Sequence, residues 1–201
     1  MKIFIIGLSQ SGKDKIASAL TEDPRLHYIS ATDWLASTFR PSRPTEKVEE
    51  YEQAYHDYYI SRLKDDQDMV IDNLFKSMQA VDSDHFLIDG INNPADFTYF
   101  FNPEYDAVVF LNRTDCESVA KDYEGVSINV MRDYALYLSL LGLLPRERWL
   151  EYNYKVPGED SDFVKQTGKH NSVFIIKSIN KVIEHLRGEI CKLLAIDEAS
   201  E

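Results

Sequence analysis

The chain has 201 residues with a formal net charge of −12, 44% hydrophobic and 28% charged residues. That length suits one α/β domain with a real core and excludes two full-sized ones. The acidic balance argues against unaided binding of long nucleic acid or an anionic membrane, while leaving room for a local basic pocket.

The first element is an apolar run, Lys2–Ile6, of strand length. Gly7-Leu-Ser9-Gln10-Ser11-Gly12-Lys13-Asp14 follows, and then an apolar helical segment from Lys15 to Leu20. Two glycines and a lysine at this spacing, between strand and helix, predict a phosphate-binding loop. Glycine permits backbone angles and close approaches that let successive N–H groups curl around an anion. The following helix directs its unpaired N–H groups at the same point, and Lys13 adds a point charge. Asp14 stands where Ser or Thr would ligate Mg²⁺, a role that a carboxylate fills directly or through water.

Asp23-Pro24 breaks the pattern, and Leu26–Ser30 reads as a second strand. Thr32 or Asp33 then caps a helix that Pro41 and Pro44 interrupt, leaving Arg40 near the bend. Thr45–Lys64 is a long helical pattern carrying Val48, Tyr51, Tyr55, Tyr58 or Tyr59, and Leu63 at helical spacing. The tyrosine stripe reads as core packing in preference to a base-stacking surface. A second helix carries Ile71, Leu74, Phe75 and Met78 on one face. His85–Asp89 is a buried strand ending in Asp89-Gly90, and Asn92-Asn93-Pro94 opens a short aromatic helix. Tyr105–Leu111 is a further apolar strand, as parallel strands covered on both faces are.

The stretch 112–171 reads as a long insertion before a last strand, Ser172–Lys177. Within it, Val126–Leu144 is apolar almost all round a helix, so it is expected to be buried or paired with another subunit. Pro145–His170 reads as loop or lid. Ile179–Leu194 is an amphipathic terminal helix, followed by an acidic tail. Cys116 and Cys191 form no C-x-x-C, and neither a signal peptide nor an 18-residue apolar span is evident, so a cytoplasmic location is expected.

Alternating strands and helices imply one domain with a doubly wound, mostly parallel α/β sheet. Ligands of such sheets sit beyond the carboxyl ends of the strands. That rule gathers Ser9–Lys15, Asp33, Asp89–Asn93, Asn112, Arg113 and 177–180 at one edge.

The loop, Ile29–Leu35, Phe86–Pro94 and the final strand and helix together resemble the nucleoside monophosphate kinase branch of P-loop proteins, which includes adenylate kinase and dephospho-coenzyme A kinase. The Gly12-Lys13-Asp14 variant resembles that of viral deoxynucleoside monophosphate kinases, although Lys15 stands where those have Thr. The resemblance implies a five-stranded sheet, a helical acceptor-binding segment near 32–80, a lid within 113–171, and Mg-ATP as phosphoryl donor. It implies binding of ATP by Gly7, Ser9, Gln10, Ser11, Gly12, Lys13, Asp14 and Lys15, and Mg²⁺ held by Asp14 and Asp89. Lys13, Asp33 and Asp89 would be catalytic, with Asp33, Arg40, Gly90, Asn92 and Asn93 toward the acceptor.

Arginines that grip the acceptor phosphate in such enzymes are replaced here by residues near Ala36 and by Asn92 or Asn93. The lid cations are sought among Arg113, Lys121, Arg132, Arg146, Arg148, Lys155, Lys165 and Lys169, with Arg146 and Arg148 first. The expected activity is phosphoryl transfer to a nucleotide, nucleoside or related small acceptor. The competing expectation is a nucleotide-binding module with a degenerate site, acting through a partner or as a homodimer along 126–144.

Overall fold

The structure is a computed structural model that describes residues 1–41, 47–114, 121–154, 173–175 and 178–199. Six strands form one sheet in the order β2-β3-β1-β4-β5-β6: β1 (Lys2–Gly7), β2 (Leu26–Ser30), β3 (His85–Asp89), β4 (Ala107–Arg113), β5 (Trp149–Tyr154) and β6 (Val173–Ile175). Every adjacent pair is parallel. The helices are α1 (Lys13–Leu20), α2 (Asp33–Thr38), α3 (Val48–Asp65), α4 (Met69–Gln79), α5 (Pro94–Phe100), α6 (Lys121–Leu140) and α7 (Ile179–Glu198).

Successive side chains of a strand leave on opposite faces, and here both faces are covered. Ile3, Ile5, Leu87, Val109 and Leu111 pack with Ile16 and Leu20 of α1 and with Val182, Leu186, Ile190 and Leu193 of α7. Phe4, Ile6, Ile88, Val108 and Phe110 pack with Tyr59 of α3, Leu74 of α4, Phe97 of α5, and Met131 and Leu138 of α6. The result is an α/β fold of three layers. Truncating a central residue such as Leu87, fully buried, would cost about 2–5 kcal/mol.

Two expectations are corrected. The lid expected over 145–170 contains β5, because Trp149, Leu150, Tyr152 and Tyr154 are buried beside β4. The sheet therefore has six strands where five were expected, and the expected last strand is the short edge strand β6. Lys155, Lys165, Lys169 and Lys177 lie outside the described residues.

The helix expected at 126–144 is displaced and not wholly buried. It ends at Leu140, where Gly142 takes φ 71° and the N–H groups of Gly142 and Leu143 return to the carbonyls of Ser139 (3.0 Å) and Leu138 (2.9 Å). A left-handed glycine with these two bonds is a Schellman stop. Its inward stripe is Glu124, Ser127, Met131, Ala135 and Leu138, all buried, whereas Val126, Val130, Tyr137 and Leu140 face outward. Among the described residues no helix is long and apolar enough to cross a membrane.

Candidate functional site

β1 ends at Gly7, where β4 runs too close for a side chain. A Cβ there would lie 2.8 Å from both the Leu111 carbonyl oxygen and Ser11 Oγ. The chain then turns: Ser11 N–H donates to the Leu8 carbonyl at 3.0 Å, Gln10 takes φ 62° and Gly12 takes φ 84°. At Gly12 a Cβ would also meet Ile179 Cδ1 at 2.6 Å. Both glycines of the motif are thus required, one by contact and one by conformation as well. The Tyr154 hydroxyl, at the end of β5, donates to the Ser11 carbonyl and pins the turn to the sheet. Lys13 opens α1, its ammonium donating to the carbonyls of Gly7 (2.8 Å) and Leu8 (3.0 Å).

Beside this loop, at the carboxyl ends of β1, β2 and β3, is a cavity of about 300 Å³. Ser9, Gln10, Lys13, Asp14, Asp33, Asp89, Gly90 and Asn92 line it, so the structure brings most of the expected site residues together. Gly90 takes φ 77°, and a Cβ on it would meet Thr32 Oγ1 at 2.8 Å, which packs the end of β3 against the start of α2. Asp33 is the first residue of α2 and Thr32 its N-cap, with no side-chain capping bond.

Asp89 is buried, and that burial pushes its carboxyl group above the ordinary carboxylate range. Lys13 opposes the shift, Asp14 adds to it, and hydrogen bonds from the Tyr28 and Ser30 hydroxyls favour the ionised form. A buried carboxylate with a second one beside it gains from a cation. Among the described residues no group of three or more His, Cys, Asp or Glu could hold a metal ion on protein ligands alone. A cation here would take Asp14, Asp89 and oxygens from water or a bound ligand, the coordination that Mg²⁺ favours.

Two carboxylates grip the loop that the sequence motifs do not single out. Glu124 of α6 accepts from Ser9 N–H (Oε2, 2.8 Å) and from the Ser9 hydroxyl (Oε1, 2.7 Å), and it is buried. Glu52 of α3 accepts from Gln10 Nε2 through both oxygens at 3.0 Å. Each has a signal in the spacing. Glu124 falls on the inward stripe of α6, and Glu52 lies between Tyr51 and Tyr55 on the face of α3 that carries the tyrosines.

Those tyrosines serve two ends. Tyr51, Tyr55 and Tyr58 surround Phe39 with ring centroids 5.3–5.4 Å apart, while Tyr51, Tyr55 and Tyr59 also line the cavity.

Among the expected cations whose side chains the structure describes, Arg113 is the one at the loop and the others are placed elsewhere. Arg113 donates from Nη1 to the Gln10 carbonyl at 2.7 Å, at the rim of the loop. Arg40 is turned to the carbonyls of Ser37 (3.0 Å) and Phe39 (2.7 Å) and is not among the residues lining the cavity. Asn93 is the N-cap of α5, accepting from Ala95 N–H at 2.9 Å. Arg132 lies over the Phe110 ring (5.6 Å) with Glu151 3.4 Å away.

Arg146 and Arg148 are corrected most sharply. They form a short 3₁₀ turn before β5, and parallel strands put that turn at the amino end of the sheet, opposite the loop. Arg148 is buried there, bonded to the Tyr105 carbonyl at 2.5 Å and 3.9 Å from Asp197. Lys121 begins α6, and its side chain lies outside what the structure describes.

No protein family matches the chain, and no curated protein matches it.

Proposed function

We propose that the protein is a Mg-ATP-dependent phosphotransferase of the P-loop kinase type, acting on a nucleotide, nucleoside or related small acceptor. One observation carries the reading: the glycine loop between β1 and α1 holds an oxyanion, the Glu124 carboxylate, on the Ser9 N–H. A loop that seats a carboxylate oxygen offers the same donor to a phosphate oxygen. Strand order β2-β3-β1-β4-β5 with the loop at its carboxyl edge is compatible with that class.

Mg-ATP, when bound, supplies the transferable γ-phosphoryl group and the charge that offsets its oxygens. The loop N–H groups and Lys13 bind and orient phosphate oxygens, and Glu124 gives way to them. Asp14 and Asp89 hold the cation through oxygen contacts, which relieves the burial of Asp89. Asp33, at the mouth of the cavity, orients an acceptor hydroxyl, while Asn92 offers amide contacts in place of an arginine fork. Positioning and electrostatics account for the catalysis.

A second reading, a nucleotide-binding module with a degenerate kinase site, is favoured by the position of Arg40, Arg132, Arg146 and Arg148 away from the residues lining the cavity. One experiment separates the two. Mg-ATP binding is measured by calorimetry, and ADP release is followed with a panel of nucleosides and nucleoside monophosphates. Binding with acceptor-dependent ADP release supports the kinase. Binding with no turnover supports the module, and no triphosphate binding at all overturns both.

A further inference from the structure

A second cavity, of about 480 Å³, lies between the end of α3, the start of α4 and the start of α5, and shares no lining residue with the first. Its walls are largely hydrocarbon: Ile60 and Leu63 from α3, Ile71 from α4 and the Tyr99 ring from α5. Asp96 lines it as well. That residue is 2% exposed, and its Oδ2 has no hydrogen-bond partner. Among the described residues no ion pair is formed with it. A buried carboxylate without a partner is costly, and the cost is removed by a cation that brings its own hydrocarbon to the cavity wall.

We propose that this cavity is a binding site for a small organic ammonium ion, whose hydrocarbon body lies on Ile60, Leu63 and Ile71 and whose charged head meets the Asp96 carboxylate. The charges around it select for that sign. Asp68, the N-cap of α4, is a second carboxylate at the same cavity. Lys64 of α3, on the exposed face, is the cation among the lining residues, and α5 contributes only neutral groups besides Asp96. Anions meet two carboxylates, and a neutral molecule of the same shape leaves Asp96 unpaired.

Burial, with Asp68 adding to it, pushes the Asp96 carboxyl up to about 6. Ammonium binding therefore strengthens as the pH rises from 5 to 7.5, because Asp96 passes from mostly protonated to mostly ionised across about 6. The site is independent of the phosphotransferase reading.

The test is a titration of the full-length protein with cyclohexylamine, with cyclohexanol as the neutral control, followed through the methyl resonances of Ile60, Leu63 and Ile71. The expected result at pH 7.5 is saturable shifts with the amine and none with the alcohol. At pH 5 affinity falls about tenfold, following the ionised fraction of Asp96. Asp96→Asn removes the response. Equal binding of amine and alcohol, pH-independent affinity, or full binding by a folded Asp96→Asn protein overturns the proposal. The pH comparison on the parent protein decides the matter where that variant does not fold.

Discussion

Glu124 and Ser9 are joined by two hydrogen bonds, 2.8 Å from the Ser9 N–H and 2.7 Å from its hydroxyl, across 115 residues of sequence. The contact ties α6 to the glycine loop and, on the phosphotransferase reading, puts a carboxylate on an amide that a phosphate oxygen would use. A hydrogen bond to a charged group contributes about 1.5–3 kcal/mol. Glu124→Ala frees the amide and removes a negative charge from the cavity, so triphosphate affinity is expected to rise about tenfold. Isothermal titration with Mg-ATP checks this. An unchanged affinity with an intact circular dichroism spectrum shows that Glu124 does not stand in the phosphate seat.

Lys13→Ala has the opposite expectation. The ammonium bonds to loop carbonyls and Lys13 is half-buried at the start of α1, outside the core. Triphosphate affinity should fall about a hundredfold, since a charged donor to the phosphates is lost, while the thermal transition stays within a few degrees of the parent. Equal ATP affinity in the two proteins removes the phosphate-loop assignment.

Asp33 tests the acceptor side. It is exposed at the start of α2 and lines the cavity. Asp33→Asn keeps the shape and removes the charge. Turnover is expected to drop about 10²-fold, the scale of one positioned acid–base group, with ATP affinity little changed. Full turnover with every acceptor that the parent uses reduces Asp33 to a helix-start residue.

Gly90 tests the joint between β3 and α2. Its φ of 77° and the 2.8 Å approach of Thr32 Oγ1 leave no place for a Cβ. Gly90→Ala is expected to cost about 1–3 kcal/mol from crowding and strain. Calorimetry should show Tm falling by roughly 2–4 °C per kcal/mol in a chain of this size. An unshifted Tm means that the backbone at Gly90 relaxes freely.

The parts of this fold that were legible in the sequence are those written in local terms. Apolar runs ending in Gly7 and Asp89 marked strands, because both faces of a central parallel strand are covered. Gly12 and Lys13 marked the loop, because its conformation is a local requirement. What escaped was set by partners distant in the chain. β5 alternates Glu151 and Asn153 with buried tyrosines, and beside Pro145 and Arg146 that pattern reads as loop until β4 is there to pair with it. Glu124 escaped because the apolar run began two residues later, at Val126, although its place on the inward stripe of α6 was readable. Arg148 is ambiguous in the sequence, because a cation near a loop has no assigned end of the sheet until the strand after it is known.

The pH dependence of stability rests on Asp96. Its carboxyl is raised by burial, with a smaller contribution from Asp68, from the ordinary 3.8 to about 6. The folded protein therefore keeps the Asp96 proton to higher pH than the unfolded chain does. By linkage, the folded state binds more protons between those values, so this group's contribution is full below about pH 4 and is lost as the pH rises through about 6. The span corresponds to about 3 kcal/mol at 1.36 kcal/mol per unit. Asp96→Asn cannot ionise and removes the loss, so the variant should match the parent near pH 4 and exceed it by up to that amount at pH 7.5. Urea unfolding of both proteins at pH 4, 5, 6 and 7.5 measures the difference directly, free of the other carboxylates that the two share. A constant difference across the series means that Asp96 titrates alike in the folded and unfolded chains, and a difference that grows with the opposite sign means that its charged form is the one the fold prefers.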